Sequence, residues 1–250
     1  MSKFATKITD GLFTAPLSGI RLPQRDYLVG EYILGGTEAE TLKNRANPSL
    51  PMTVQGTGHV YNANSVVIRP HATLGYGYLT GVLPHEHATL IVVRKNGTAA
   101  TTTHIVGFIN TGSLWGARQH GTNNYMSMME PNPTGGAPRP KPGAGTIYFE
   151  AGVQSVLNAQ TGVGGKTSLY YYSAGVQQVA LAPTAGVLIG TRRLMTVPVA
   201  IGTTSLTDSG SSTVEVYYVA LYNRPLTPAE IEAAYQAIVA WYATRGVTVV

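Results

Sequence analysis

The chain has 250 residues, of which 44% are hydrophobic and only 12% charged, with no cysteine and a formal net charge of +5. That length suffices for one large core, and the missing cysteines exclude disulfide frameworks, thiolate metal sites and cysteine nucleophiles. The 17 Lys and Arg are scattered rather than blocked, against a phosphate-tracking nucleic-acid groove, and the low charge leaves a Thr-, Ser-, Asn-, Gln- and Gly-rich surface. Such a surface suits packing against copies of itself or hydrogen bonding to neutral ligands.

Residues Met1 to Leu17 include Asp10, Gly11 and Pro16 and lack the apolar core of a signal peptide. No stretch approaches the roughly 18 apolar residues of a membrane helix. The expectation is synthesis as a soluble cytoplasmic product without membrane insertion. Periodicity is weak over the first thirty or so residues, so 1–50 is expected to be an arm with one short helix, packed on the main domain or on a neighbour. That helix has Thr37 as N-cap, Glu40 at its third position, and Asn47 with Pro48 as terminator.

From about Met52 onward, short β-branched and aromatic runs alternate with Gly, Asn and Pro, the pattern of an all-β domain over 51–250. Candidate strands are 65–69, 88–94, 104–109, 124–129, 146–150, 168–172, 187–190 and 213–222. Within 88–94, Leu90, Ile91, Val92 and Val93 run together, as in a strand covered on both sides. The 213–222 segment is apolar on both faces and is expected at the centre of its sheet. Segment 131–145 holds five Pro and four Gly and is expected to be an extended surface loop. Arg139 with Lys141, and Arg192 with Arg193, are read as solvated loop or strand-end charges. Ser173, Ala174 and Gly175 supply the turn of a hairpin over 168–181.

The last element is a helix over 227–245. Thr227 is its N-cap, Pro228 its first residue, and Glu230 closes a capping box. Ile231, Ala234, Tyr235, Ile238, Trp241 and Tyr242 recur at helical spacing, and Arg245 then Gly246 supply a cation and a left-handed stop. Burying that stripe, at roughly 1.5–3 kcal/mol per large apolar side chain, docks the helix on the sheets.

The run from Val214 to Ile231, with Tyr222, Asn223, Arg224, Pro225 and Leu226 leading into Glu230 and Ile231, resembles the closing motif of concanavalin A-like, laminin-G-like jelly-roll domains. Ser168 to Val176 is similar to that family's tyrosine-rich hairpin, and 187–190 to its Gly-ended strand, so the resemblance covers roughly 74–250. It implies a two-sheet antiparallel jelly-roll β-sandwich with a C-terminal amphipathic helix, in which Asn223, Arg224 and Pro225 turn the chain out of the last strand. Members with low charge, no cysteine and long Gly/Thr-rich loops look like those of bacteriophage virion proteins, including tail fibres, baseplates and capsid decorations. Residues 41–48 leading into 51–54 also resemble phage-encoded versions. The resemblance therefore implies a non-enzymatic, homo-oligomeric virion protein that assembles with other virion proteins and copies of itself.

Glycosidases on this fold need carboxylates on alternate strand residues, because acid and nucleophile flank the scissile bond about 5–5.5 Å apart. No Glu-x-Asp-x-x-Glu occurs, Glu215 stands alone, and neither Glu130 nor Glu150 has a carboxylate two residues away. On a strand, His85 and His87 would share a face and could offer a metal two imidazoles; a loop ahead of Ala88 is the plainer reading. His59, His71, His104 and His120 have no neighbouring partners in sequence. Residues 162–167 have a phosphate-loop look without its spacing and read as a turn. Asp208 is the only carboxylate within 151–212, which argues against structural calcium. No catalytic residue, metal or cofactor is assigned.

For neutral glycans a site needs aromatic faces for sugar C–H groups and short polar side chains for hydroxyls. Trp115, Arg118, Gln119, His120, Asn123, Asn124 and Tyr125 supply both within eleven residues. Trp115 and Tyr125 would equally suit a core between adjacent strands. The expected function is binding of host-surface carbohydrate by a virion attachment protein. The alternatives are a purely structural capsid-decoration or tail/baseplate role, and a glycoside hydrolase on the same fold.

Overall fold

The computed structural model describes residues 19–69, 76–83, 85, 88–96, 103–110, 113–120, 123–130, 137–154, 167–181, 198–203 and 213–250; side chains at 103, 104, 108–110, 113–115, 118–120, 125, 127–130, 181 and 203 lie outside that description. The described strands form two antiparallel sheets. Sheet A runs in the order β13 (Val176–Leu181), β12 (Thr167–Ser173), β11 (Ile147–Gln154), β6 (Thr89–Lys95), β15 (Val214–Tyr222), β4 (Val66–Ile68) and β3 (Val60–Tyr61), with β1 (Leu28–Ile33) also pairing β15. Sheet B runs β10 (Ala137–Pro140), β9 (Asn123–Glu130), β8 (Ser113–His120), β7 (Thr103–Asn110), β14 (Ala200–Thr203), β5 (Tyr76–Leu79) and β2 (Thr53–Val54). The all-β sandwich expected from the sequence is what forms. The candidate strand at 187–190 lies outside the described residues.

Sheet A is shared by two apolar cores because its side chains alternate between its faces. Leu90 and Val92 of β6, with Val66, Ile68, Leu169, Val216, Val219 and Leu221, face the interior between the sheets. Ile91 and Val93, with Phe149, Ala151, Tyr172, Tyr218 and Ala220, face the opposite way. β6 is thus covered on both sides, and β15 lies centrally between β6 on one flank and β4 and β1 on the other.

The second core is closed by α2 (Pro228–Ala243), whose capping box is present as the sequence predicts: the Thr227 side chain accepts from the Glu230 N–H, and the Glu230 carboxylate accepts from the Thr227 N–H. Ile231, Ala234, Tyr235, Ile238 and Tyr242 are buried against sheet A. The Tyr235 ring stacks on Tyr172 at 3.4 Å, and Phe149 meets both edge-on. Trp241 is half-buried, with the Arg245 guanidinium over its ring. Past the helix, the Val247 N–H donates to the Tyr242 carbonyl and Gly246 has φ 70, the expected left-handed stop.

The turn from β15 into α2 explains the residues of the closing motif. The Thr89 hydroxyl donates to the Arg224 carbonyl and accepts from the Leu226 N–H, while Arg224 reaches the Glu230 carboxylate and lies over the Tyr27 ring. The turn is therefore bonded to β6 below and to the helix above.

Three local expectations need correction. The short helix, α1 (Glu38–Thr41), has the expected Thr37 cap, yet it spans one turn and ends well before Pro48. Segment 131–145 is not wholly a loop: β10 pairs with β9, and Ala137 and Arg139 are buried. Proline is tolerated there because β10 is an edge strand. Finally, residues from Gly19 onward belong to the sandwich itself. Ile20 and Leu22 enter the second core, the Pro23 carbonyl accepts from the Tyr222 hydroxyl, and β1 adds a strand to sheet A ahead of residue 51. Residues 1–18 lie outside the described residues.

Candidate functional site

The stretch proposed from sequence as a glycan surface, Trp115 to Tyr125, lies on two paired strands of a hairpin. β8 and β9 pair in the register Ala117↔Met126, Arg118↔Tyr125, Gln119↔Asn124 and His120↔Asn123. On its other side β8 pairs with β7, placing Trp115 opposite Phe108 and, across β9, opposite Met128. Sequence reading missed β8 because Gly116 interrupts its pattern. Gly116 has φ +128, and a Cβ there would lie 1.9 Å from the Val106 carbonyl oxygen. Only glycine allows β7 and β8 to approach so closely.

Asn124 does not belong to an exposed surface. It is fully buried, and its amide donates to the Tyr148 hydroxyl at 2.8 Å and to Glu150 Oε1 at 3.0 Å. This corrects its assignment as a ligand contact: a buried amide is held by internal acceptors and has no face to offer a sugar. Asn123, one residue earlier, is half-buried. The side chains of Trp115, Arg118, Gln119, His120 and Tyr125 lie outside the described residues.

Behind the hairpin is a buried ionic network. Arg94 donates from Nε and Nη2 to Glu150 Oε2 at 3.2 and 3.1 Å. Arg139 lies 3.8 Å from Glu150 Oε1, with its guanidinium over the rings of Tyr148 at 4.8 Å and Tyr171 at 4.6 Å. Arg139 is only 5% exposed, so its reading as a solvated charge is overturned. Register explains it: Arg139 pairs with Asn124 on the inward face of sheet B, and Glu150 on the facing sheet supplies the opposite charge. Burial pushes the Tyr148 hydroxyl far above its ordinary pKa, so it stays protonated where it accepts from the Asn124 amide.

Other candidates from the sequence are accounted for separately. Glu215 accepts from the Ser65 and Tyr217 hydroxyls and pairs with Lys95 at 3.1 Å. Partial burial would raise its pKa, but the bonds from Ser65, Lys95 and Tyr217 outweigh it and hold the carboxyl below its usual value. An ionised, triply bonded carboxylate is poorly prepared to donate a proton. His59 is occupied at both nitrogens: Nδ1 accepts the Arg69 N–H at 3.1 Å and Nε2 faces the Gln55 carbonyl at 3.3 Å. His85 is exposed, while Glu86, His87, His71, Asp208, 162–166 and 192–193 lie outside the described residues. Among the described residues no group of three or more His, Asp or Glu is placed to hold a metal ion.

No protein-family model matches the sequence, and a search of curated proteins finds no match. Solved structures do match. Trypanosoma rangeli sialidase in complex with sialic acid aligns at 15% identity and a TM-score of 0.56, covering 84% of this chain and 33% of that one. The binding domain of botulinum neurotoxin serotype D aligns at 9% identity and a TM-score of 0.55, covering 86% of this chain and 52% of that one. The fold is a lectin-like jelly roll. At these identities the likeness is one of architecture, and the chain spans a third to about half the length of the structures it matches. In this jelly roll the outward face of sheet A is taken by α2, and the hairpin of β8 and β9 belongs to the other sheet.

Proposed function

We propose that this chain is a carbohydrate-binding module that engages neutral or weakly acidic glycans on the outward face of the hairpin of β8 and β9. The observation that carries this reading is the hairpin register. Ala117, Asn124 and Met126 are buried on the inward face, so strict alternation assigns positions 118, 120, 123 and 125 to the outward one. Arg118 stands opposite Tyr125 there, and His120 opposite Asn123. The residue types at these four positions, Arg118, His120, Asn123 and Tyr125, are ones whose chemistry matches the C–H faces, hydroxyls and carboxylates of glycans. The low charge of the chain and the lectin-like fold support the same reading. In its finer form the module is an attachment protein of a virion, acting on host-surface carbohydrate, a reading supported by the resemblance of residues 41–48 leading into 51–54 to phage-encoded jelly rolls.

A glycan array probed with the purified chain tests the proposal. Tyr125→Ala and Asn123→Ala should abolish binding to whichever glycan the parent chain retains, with unchanged melting temperature. Failure to bind any glycan would favour the purely structural alternative. That alternative is tested by removing residues 1–18 while keeping Ile20 and Leu22, which belong to the core. Loss of particle assembly by a folded truncation would support it.

A further inference from the structure

Five described strands have an edge with no strand beside it, and four of these edges are blunted against pairing: the outer edge of β1 is already bonded by Asn44 and Arg45, which reach Val29 and Glu31. β10 carries Pro138 and Pro140, which have no N–H to offer, and β2 and β3 are two residues long. β13 is different. Its six residues, Val176, Gln177, Gln178, Val179, Ala180 and Leu181, include neither a charge nor a proline. Val176 and Val179 are 60% and 55% exposed, and among the described residues no strand pairs with the outer edge of β13.

The hairpin geometry says which backbone groups face that edge. Ala174 and Gly175 have φ 52 and 77, and positive φ at both central residues makes a type I′ turn. Its closing pair, Ser173↔Val176, exchanges hydrogen bonds, and bonded pairs then alternate with unbonded ones along the ladder. Tyr171↔Gln178 and Leu169↔Ala180 are therefore bonded pairs. Gln177, Val179 and Leu181, opposite Tyr172, Tyr170 and Ser168, turn their N–H and C=O groups away from β12.

We propose that this edge pairs with the same edge of a second copy of the chain, β13 against β13 antiparallel about a two-fold axis at Val179, making the two A sheets continuous. In that register Val179 meets Val179 of the copy, and Gln177 meets Leu181. All three outward-turned residues then sit in doubly bonded backbone pairs, related by the two-fold as an isologous contact requires. Centring on Gln178 instead would bond only Gln177 with Val179 within the strand. A copy suits this edge because β13 carries no charge to repel its own counterpart, whereas a charged partner would find no complement along it. The self-contact of Val179, beside half-buried Tyr170, covers exposed apolar surface that a monomer leaves wet.

Sedimentation velocity across a concentration series tests this. The parent chain should form a concentration-dependent dimer, and Val179→Lys should return it to monomer with unchanged melting temperature. Val179→Cys, in a chain with no other cysteine, should be joined efficiently by a short bis-thiol crosslinker, whereas Val60→Cys, 49% exposed on β3, should not. A parent chain that stays monomeric throughout overturns the proposal, as does equal crosslinking at both positions. So does a monomeric parent whose melting temperature falls on Val179→Lys, which would assign the edge to another segment of the same chain.

Discussion

The amide of Asn124 on sheet B donates to the carboxylate of Glu150 on sheet A at 3.0 Å, a bond that crosses the interior of the sandwich. Because Glu150 also receives Arg94 and has Arg139 nearby, one carboxylate balances two buried cations. Glu150→Gln keeps the shape and removes the charge, leaving both guanidinium groups uncompensated. The expected loss is about 3–5 kcal/mol in urea denaturation, the range for breaking a buried ion pair from one side. A loss below about 1 kcal/mol would show that the cations find other acceptors.

Gly116→Ala should damage the candidate hairpin selectively. The new Cβ would meet the Val106 carbonyl oxygen at 1.9 Å on a backbone already at φ +128. Backbone atoms must shift, at about 1–3 kcal/mol, and the register that aligns positions 118 and 125 should loosen. Hydrogen exchange comparing β8 with β15 checks this: faster exchange confined to β7, β8 and β9 is the expected pattern.

Acid should weaken the strands around His59. Burial is the main cause holding the His59 pKa below its ordinary 6.5; the Gln55 carbonyl and Glu38 pull weakly the other way. Neutral imidazole also accepts the Arg69 N–H, which a protonated ring cannot do. The folded state thus binds its proton less readily than the unfolded chain, so the stabilisation is complete above the unfolded value of 6.5 and is lost as pH falls through it toward the lower folded value. In His59→Gln, the decline in stability between neutral pH and pH 5 should be smaller than in the parent, measured by urea melts at each pH.

The helix contributes through its cap and through its aromatic contact. Thr227→Ala removes the capping-box acceptor and should cost about 1 kcal/mol. Tyr235→Ala removes a ring stacked at 3.4 Å on Tyr172 and should cost about 3–5 kcal/mol, by analogy with other buried aromatics. Thermal melts of both variants distinguish the two effects by size.

The elements legible in the sequence were those whose signal is local. The capping box of α2, the uninterrupted apolar run in β6 and the turn at Ala174 and Gly175 each depend on neighbours a few residues away. What escaped depends on partners distant in the chain. Glu31 in β1 is 1% exposed and reads as surface until Tyr218, 187 residues later, donates to it at 3.0 Å. Arg139 reads as a solvated charge until Glu150 arrives from the facing sheet. Asn124 belonged to a polar stretch that looked like a glycan surface, yet alternation sends it inward while Asn123 stays half-buried. A pattern of period two identifies the two faces of a strand but not which of them meets solvent.

Since β6 sends successive residues into separate compartments, it can serve as a pair of independent reporters. A methyl label at Val92 senses what happens between the sheets, and one at Val93, the very next residue, senses the seat of the helix. Detachment of α2 would therefore register at one position and leave its neighbour silent, which lets a single strand distinguish loss of the lid from opening of the sandwich.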